Sequence, residues 1–199
     1  MKLRAADGEI LWKIHSGGPS RQADRGWSIV VGPDGNPVVT GVLATTVDPA
    51  YFCTIKLRSA DGGEIWNRTI LGAINYIERE AGWLAVCDDG DIVMASRTWA
   101  GSSSYDVVLH RYDAADGAIV WQKQYDSPSH AGDDANRMVR DAAGNLIVVG
   151  VRGGDFMVLL FEPAQGELVW SAGYNGPANG YDAAAAAAAG PAGEILVTG

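Results

Sequence analysis

The sequence has few cysteines and few basic residues, and both shortages exclude classes of protein. Only 2 of the 199 residues are Cys, which is too few for a disulfide framework. The 15 Lys and Arg against 24 Asp and Glu give a formal net charge of −9, so the clustered cations that bind nucleic-acid phosphates are missing. No stretch approaches the roughly 18 consecutive apolar residues of a membrane span. We therefore expect no nucleic-acid partner and no membrane span.

Glycine and tryptophan, by contrast, recur at a regular period. In four segments a glycine lies four residues before a tryptophan, and both series advance by 54, 55 and 49 residues. The glycines are Gly8, Gly62, Gly117 and Gly166, and the tryptophans are Trp12, Trp66, Trp121 and Trp170. A second motif, with Asp-Gly or Gly-Asn before a β-branched run, alternates with the first at Gly35, Gly90, Gly144 and Gly193. Two motifs at one period indicate a repeated supersecondary unit.

Each motif predicts a β-hairpin. Asp-Gly and Gly-Asn supply the positive φ angles of a tight hairpin turn, and the flanking runs are β-branched or aromatic and too short for helices. Each period then holds four antiparallel strands, here called A to D, with A–B joined by the second motif and C–D by the first. Four-stranded repeats of this length are propeller blades. The sequence therefore predicts an all-β fold, a β-propeller; the alternatives are a β-sandwich and a β-solenoid.

The repeat frame places half-blades at both termini. Complete blades are expected at about 26–70, 81–125 and 135–174, and residues 183–199 together with 2–14 would form a fourth. In this frame the seven alanines from Ala183 to Ala189 belong to a strand A rather than to a helix. Three arrangements satisfy the frame: a ring closed within the chain, a head-to-tail homodimer that completes a ring, or a segment of a longer propeller.

The tryptophans divide into two groups. The four periodic ones fall in strand D, at the blade periphery, where an indole is expected to cover the interface between neighbouring blades. Trp27 and Trp83 fall near the start of strand A, the innermost strand, where they are candidates for contact with a ligand in the central channel. Trp99 is not part of a regular series.

The repeats resemble a known group of bacterial propellers. The run Ala-Asp-Gly-Glu-Ile-Leu-Trp12 is similar to the repeat of PQQ-like quinoprotein propellers, and residues 132–150 resemble SBBP-type β-propeller repeats. Members of these groups include dehydrogenases, outer-membrane assembly factors and secreted or surface proteins. The resemblance implies an extracytoplasmic location, whereas residues 1–7 have no apolar region of a signal peptide; the compartment is not assigned.

Candidate chemistry is sparse. The acidic clusters are residues 88–91, with three aspartates around a glycine, and the pair Asp133-Asp134. The first suits a calcium loop, but its position favours ordinary turn chemistry. Asp24, Asp134 and Asp182 precede strand A and are expected to fix inter-blade loops by accepting backbone hydrogen bonds. His15, His110 and His130 lack the spacing of metal ligands. Cys53 and Cys87 are 34 positions apart, unlike the adjacent cysteines beside the quinone in several quinoprotein dehydrogenases. No catalytic residue, metal site or cofactor is predicted.

The function that the sequence favours is a non-catalytic propeller scaffold that presents a face or channel mouth to a protein, glycan or small ligand. The alternative is a fragment of a propeller enzyme, either a quinoprotein dehydrogenase or a metal-dependent hydrolase, and a third option is an excised or designed repeat array. Tight, stoichiometric uptake of PQQ and calcium would favour the enzyme.

Overall fold

The structure of the protein is a computed structural model that describes residues 1–15, 24–43, 51–71, 82–99 and 104–199. These residues form 16 antiparallel β-strands in five sheets. The N-terminal hairpin consists of β1 (Lys2–Leu3) and β2 (Ile10–Trp12), and the C-terminal hairpin of β15 (Ala186–Ala189) and β16 (Ile195–Thr198).

Between the hairpins lie three four-stranded sheets. Blade 1 contains β3 (Arg25–Val31), β4 (Pro37–Leu43), β5 (Tyr51–Leu57) and β6 (Glu64–Leu71). Blade 2 contains β7 (Trp83–Val86), β8 (Ile92–Trp99), β9 (Tyr105–Tyr112) and β10 (Ile119–Tyr125). Blade 3 contains β11 (Asp133–Arg140), β12 (Leu146–Arg152), β13 (Asp155–Phe161) and β14 (Leu168–Tyr174).

The first strands of successive blades lie next to one another. Strand β3 contacts β7, β7 contacts β11, and β11 contacts β15, which makes strand A the innermost strand of each blade. Within each blade the strands follow in sequence order, each paired with the next. This arrangement of radial, four-stranded meanders confirms the predicted all-β fold with propeller blades.

The turn glycines adopt the backbone conformation that the motifs predict. All eight, from Gly8 to Gly193, have φ between +70° and +94°. The A–B turns are nevertheless longer than a two-residue hairpin loop: in blade 1 the Gly35 amide donates to the Gly32 carbonyl at 2.9 Å, and the Gly32 amide donates to the Asn36 carbonyl at 3.0 Å. A single glycine with positive φ is sufficient for this wider loop, and the neighbouring asparagine keeps a negative φ.

Hydrophobic clusters fill the interfaces between neighbouring blades, here called seams. One cluster joins blades 1 and 2, including Val38, Phe52, Trp66, Met94 and Tyr112. Another joins blades 2 and 3, and a third joins blade 3 to the C-terminal hairpin. Because each blade buries its faces against its neighbours, the core is divided among the seams rather than enclosed in any one sheet.

A repeated hydrogen-bonded clip closes the outer edge of three interfaces: the N-terminal hairpin with blade 1, blade 1 with blade 2, and blade 2 with blade 3. The Trp66 indole Nε1–H donates to the Ala114 carbonyl of the next blade at 3.2 Å, and the Lys56 ammonium, opposite Trp66 on the neighbouring strand, donates to the same oxygen at 2.7 Å. Two further copies have the same geometry: Trp12 with Lys2 on the Ser59 carbonyl, and Trp121 with Arg111 on the Pro163 carbonyl. The prediction that these indoles cover the seams is thus confirmed for three of the four.

The indole of each clip lies against the turn glycine of the next blade. A Cβ atom built on Gly117 would lie 2.6 Å from Trp66 Cδ2, and one built on Gly166 would lie 2.9 Å from the Trp121 ring. At Gly8 no atom lies within 4 Å of the Cβ position. Gly117 therefore needs to be glycine for two reasons, the backbone angle and the indole, whereas Gly8 has only the first.

This difference gives a matched pair of substitutions. Both glycines have nearly the same φ, +73° for Gly117 and +76° for Gly8, so either alanine variant should lose about 1 kcal/mol through backbone strain. Gly117→Ala should lose about 1–3 kcal/mol more, because its methyl group displaces the Trp66 ring. Urea denaturation followed by circular dichroism measures both values. Equal losses would contradict the role of the glycine as a platform for the indole.

The two terminal hairpins belong to separate sheets. Strand β15 lies in the alanine run, as the repeat frame predicted, and pairs with β16. The Ala184 amide, just before β15, donates to the Gly150 carbonyl of blade 3 at 3.0 Å, which attaches the C-terminal hairpin to the preceding blade. Whether the two hairpins join to form one blade, and with which chain, stays a prediction.

Candidate functional site

The antiparallel order of the strands separates two faces of the propeller. The A–B and C–D turns lie at one face, so the B–C loops and D–A connections leave the strands at the opposite face. Within the described residues, the second face includes the connection from blade 2 to blade 3 and the Gly153–Gly154 turn between β12 and β13. Acidic and aromatic side chains meet here.

Three aspartates from different strands converge at the seam between blades 2 and 3. Asp106 is the second residue of β9, Asp126 follows β10, and Asp133 is the first residue of β11. One carboxylate oxygen from each lies within 4.8 Å of the other two. Asp106 and Asp133 are buried, with 1% and 0% of their surface exposed, and Asp126 is exposed. The cluster is thus reached from solvent past Asp126.

Each carboxylate has a hydrogen-bond partner close to it in the chain or on the neighbouring strand. Asp106 Oδ2 accepts from Gln124 Nε2 at 2.5 Å, and Asp133 Oδ2 accepts from the Ser127 amide at 2.7 Å. Asp126 Oδ2 lies 2.6 Å from His130 Nδ1. The other oxygens of the two buried residues, Asp106 Oδ1 and Asp133 Oδ1, are buried without a hydrogen-bond partner. Burial, together with the charges of Asp106 and Asp126, raises the pKa of Asp133 to about 6 against the lowering effect of its bonds to Ser127.

A cleft of about 380 Å³ adjoins the cluster. Asp133 and Asp134 line it, as do two tyrosines, Tyr105 and Tyr181, and the glycines at 132, 153 and 154. Arg97 bonds Asp134 at 2.8 Å, and its guanidinium lies 4.6 Å from the centre of the Tyr105 ring. The cleft thus combines aromatic surface, an ion pair and exposed backbone.

The acidic turn at residues 88–91 is neutralised by arginines. Asp91 Oδ2 accepts from Arg111 Nε at 2.9 Å, Asp89 also pairs with Arg111, and Asp88 pairs with Arg140 at 2.7 Å. The Asp91 amide donates to Asp89 Oδ1 at 3.2 Å, as in an ordinary turn. These contacts support the turn interpretation over the calcium loop.

Of the three expected loop-fixing hydrogen bonds, the one of Asp182 is confirmed, the one assigned to Asp134 is made by its neighbour, and the one of Asp24 stays a prediction. Asp182 Oδ2 accepts from the Gly176 amide at 2.7 Å. In the preceding blade connection the equivalent bond is made by Asp133 and not by Asp134, which pairs with Arg97. Strand β11 has a β-bulge between Ala135 and Arg137. The bulge interrupts the alternation of side chains between the two faces of the sheet, so the sequence alone does not show which of the two aspartates faces the loop. Asp24 immediately precedes β3.

The two tryptophans predicted near the channel pack into the seams. Trp27 is half-buried against the cluster between blades 1 and 2, and Trp83 is half-buried against the cluster between blades 2 and 3. The Arg137 guanidinium lies 4.6 Å from the centre of the Trp83 ring. These contacts favour a packing role over ligand contact. Trp99, by contrast, is 46% exposed and makes an edge contact with Tyr105 at 4.9 Å.

The repeats and the fold lead to a family. A family model described as outer membrane protein assembly factor BamB, PQQ_2, matches residues 1–194. The chain belongs to this PQQ-like repeat family. No curated protein matches the sequence significantly. Among the described residues there is no helix of the length and apolarity needed to cross a membrane.

The solved structures that are similar to this PQQ-like repeat chain have low sequence identity to it. A protein of unknown function from Bacteroides caccae is 14% identical with a TM-score of 0.54, over 85% of this chain and 52% of its own. An endo-1,4-beta-xylanase from Bacteroides thetaiotaomicron is 13% identical with a TM-score of 0.38, over 86% of this chain and 57% of its own. A putative 6-phosphogluconolactonase from Bacteroides uniformis is 14% identical with a TM-score of 0.39, over 83% of this chain and 61% of its own. The chain thus spans between half and two thirds of each structure.

The cysteines of this family member do not form a quinone platform. Cys53 lies in blade 1 and Cys87 between β7 and β8 of blade 2, and both are buried free thiols. Burial raises the pKa of Cys53 to about 11 and also raises the pKa of Cys87. Neither thiol is placed or activated for redox chemistry, so we derive no step through a quinone.

The histidines are separate from one another. His15 and His130 are exposed. His110 is buried in β9, where burial lowers its pKa to about 4 despite a hydrogen bond to Gln122, so it is neutral at pH 7. Of the three, only His130 contacts the acidic cluster, through Asp126. Asp106, Asp126 and Asp133 were not predicted as a group, because their separations of 20 and 7 residues match no motif.

Proposed function

We propose that this propeller segment is a non-catalytic binding module whose ligand, a glycan, lies in the cleft between blades 2 and 3. The observation that carries the proposal is the lining of that cleft. Two tyrosines, Tyr105 and Tyr181, line it, and the Arg97 guanidinium, which is paired with Asp134, lies over the Tyr105 ring. Ring faces pack against the C–H surface of a sugar, and charged side chains bond its hydroxyl groups.

The cleft is open to a ligand. Its described lining carries two carboxylates, Asp133 and Asp134, and the second of them is paired with Arg97. Tyr181 is 75% exposed, so it is available to a ligand without rearrangement of the core. Pockets with aromatic walls and a few polar groups are the usual form of a small-ligand site.

Titration calorimetry with oligosaccharides of differing composition tests the proposal. We expect saturable binding of one class of sugar without change to the sugar, and a loss of about tenfold or more in affinity in Tyr181→Ala. Tyr174→Ala is the matched control, since Tyr174 is 61% exposed but lies in β14, outside the cleft. The absence of binding by any sugar, equal losses in both variants, or cleavage of the sugar would overturn it.

We also propose that two chains assemble head to tail. Trp170 occupies the clip position of blade 3 but is 38% exposed, and its indole nitrogen has no hydrogen-bond acceptor among the described residues. The N-terminal hairpin offers the complementary half: an uncovered Gly8 turn, with the Ala5 carbonyl three residues before the glycine, as in the occupied clips. The occupant we propose for Trp170 is the Gly8 turn of a second copy, which would extend the series of seams.

Light scattering on the 199-residue chain tests this assembly. A mass of two chains is expected, and Trp170→Ala or Gly8→Val should reduce it to one. Gly154→Val is the control, because Gly154 also has a positive φ and open space at its Cβ position but lies at the opposite face. A wild-type mass of one chain would refute the proposal.

A further inference from the structure

The aspartate cluster between blades 2 and 3 has the composition and spacing of a cation site. Oxygen ligands of Ca²⁺ lie at about 2.3–2.6 Å from the ion, so two ligands of one ion are at most about 5 Å apart. The three carboxylates of Asp106, Asp126 and Asp133 satisfy this limit with oxygens within 4.8 Å of one another. Carboxylate oxygens are the ligands that hard cations prefer.

A second observation distinguishes this cluster from a chance group of acidic residues. Asp106 and Asp133 are almost completely buried, and each has one oxygen without any hydrogen-bond donor. A buried carboxylate oxygen without a partner is costly, because it loses water and gains nothing in return. Two such oxygens in one cluster indicate that a bound group completes the site.

The charges around the cluster lead to the same conclusion. Among the described residues, no Lys or Arg forms an ion pair with these three aspartates; only His130 approaches Asp126. The acidic turn at residues 88–91 shows the opposite arrangement, since Arg111 and Arg140 pair with its three carboxylates. This protein therefore neutralises one acidic group with arginine and leaves the other without a cation of its own.

From these observations we infer that Asp106, Asp126 and Asp133 bind a hard divalent cation, with Ca²⁺ as the preferred ion. The ion would join β9, the end of β10 and the start of β11, and so tie blade 2 to blade 3 at the face that carries the cleft. The cation site does not depend on the proposed glycan function, because its ligands are defined without reference to what fills the cleft.

The next blade provides an internal comparison. In the pairing of β12 with β13, Asp155 lies opposite Arg152, as Asp106 lies opposite Thr98 in the pairing of β8 with β9. Asp182 accepts a hydrogen bond from the backbone amide six residues earlier, as Asp133 does. At the position equivalent to Asp126 stands Asn175. Blade 3 and the connection that follows it therefore have only two of the three carboxylates. Asp155→Asn serves as a control, because it changes an equivalent aspartate outside the proposed site.

Calorimetric titration of the metal-free protein with CaCl₂ tests the inference. One Ca²⁺ per chain is expected, and the melting temperature should rise by about 5–10 °C at a Ca²⁺ concentration about 100 times Kd. Asp133→Asn and Asp106→Asn should abolish both effects, because each removes a buried anionic ligand. Asp126→Asn should weaken binding by about tenfold, because the exposed position can be replaced by water.

The asparagine variants also separate a cation site from a structural cluster. In EDTA, Asp133→Asn should be as stable as the wild type or more stable, since the amide keeps an acceptor for the Ser127 amide and removes like-charge repulsion. Asp155→Asn should bind Ca²⁺ as the wild type does. A wild type that binds no Ca²⁺, or an Asp133→Asn variant that still binds it, would overturn the inference. Titration with MgCl₂ checks the choice of ion, which fails if Mg²⁺ binds more tightly.

Discussion

Replacing Trp66 by alanine is expected to lower the free energy of unfolding by about 3–5 kcal/mol. Trp66 is 4% exposed in the seam between blades 1 and 2, and its ring centre lies 6.1 Å from that of Tyr112. The variant loses this apolar burial, leaves a cavity over Gly117, and removes one donor from the Ala114 carbonyl. Urea denaturation followed by far-ultraviolet circular dichroism measures the loss independently of indole fluorescence.

Trp170 is the control for this prediction because it has the same place in the repeat. It is 38% exposed and stands opposite Leu160, where the other clips have a lysine or arginine. At a protein concentration low enough to keep the chain monomeric, Trp170→Ala should lose only about 1 kcal/mol. Similar losses in the two variants would mean that the clip contributes little to the free energy of unfolding, and that both losses reflect the lower strand propensity of alanine.

The features that were predictable from the sequence are those set by local conformation. A glycine such as Gly117 is required by a positive φ within one turn, and the strands follow from short β-branched runs beside it, so both repeat visibly. The packing of Trp66 was also predictable in outline, since four indoles at one phase indicate a common surrounding. The acceptor of its N–H was not, because the Ala114 carbonyl belongs to another blade and any residue can supply a carbonyl.

The basic residue of each clip was not predicted, although its position follows a partial pattern in the sequence. Lys2, Lys56 and Arg111 each stand ten residues before their tryptophan, but blade 3 has Leu160 at this position, so the pattern is incomplete. A basic residue in an antiparallel strand next to an exposed turn also has an ordinary explanation as a solvated surface charge. The bond across the seam becomes apparent only when the neighbouring blade is in place.

The aspartate cluster was unpredictable for a related reason. Asp106, Asp126 and Asp133 come from three positions of the repeat, and blade 3 replaces the second of them with Asn175, so no period marks the group. The sequence instead drew notice to residues 88–91, where three aspartates are adjacent in the chain but paired with arginines in the fold. Proximity along the chain was a poor guide to unneutralised charge, because partners from other strands determine it.

Replacing Arg111 by leucine should destabilise the protein by about 3–5 kcal/mol. The Arg111 side chain is 8% exposed; it pairs with Asp91, itself 16% exposed, and donates to the Pro163 carbonyl of blade 3 at 2.6 Å. Leucine would leave the Asp91 carboxylate, which is only partly accessible to water, without its cation and would remove one donor from the seam. The exposed pair of Arg58 and Asp61, at 54% and 62%, gives the control: Arg58→Leu should leave the stability almost unchanged, because solvent screens the pair.

The conservative variant Arg111→Lys decides whether charge or shape is responsible. Lysine already performs this function in blade 1, where Lys56 bonds Asp34 at 2.7 Å and the Ala114 carbonyl at 2.7 Å from the equivalent register. Asp34 precedes its turn glycine as Asp89 does, so the lysine variant should keep a carboxylate partner in the acidic turn and the bond to the Pro163 carbonyl, and lose only the second carboxylate contact of the guanidinium. We expect it to recover most of the stability lost by Arg111→Leu in the same urea titration. Equal losses for the two variants would show that the planar guanidinium is required, and that a positive charge at this position is not enough to stabilise blade 2 against blade 3.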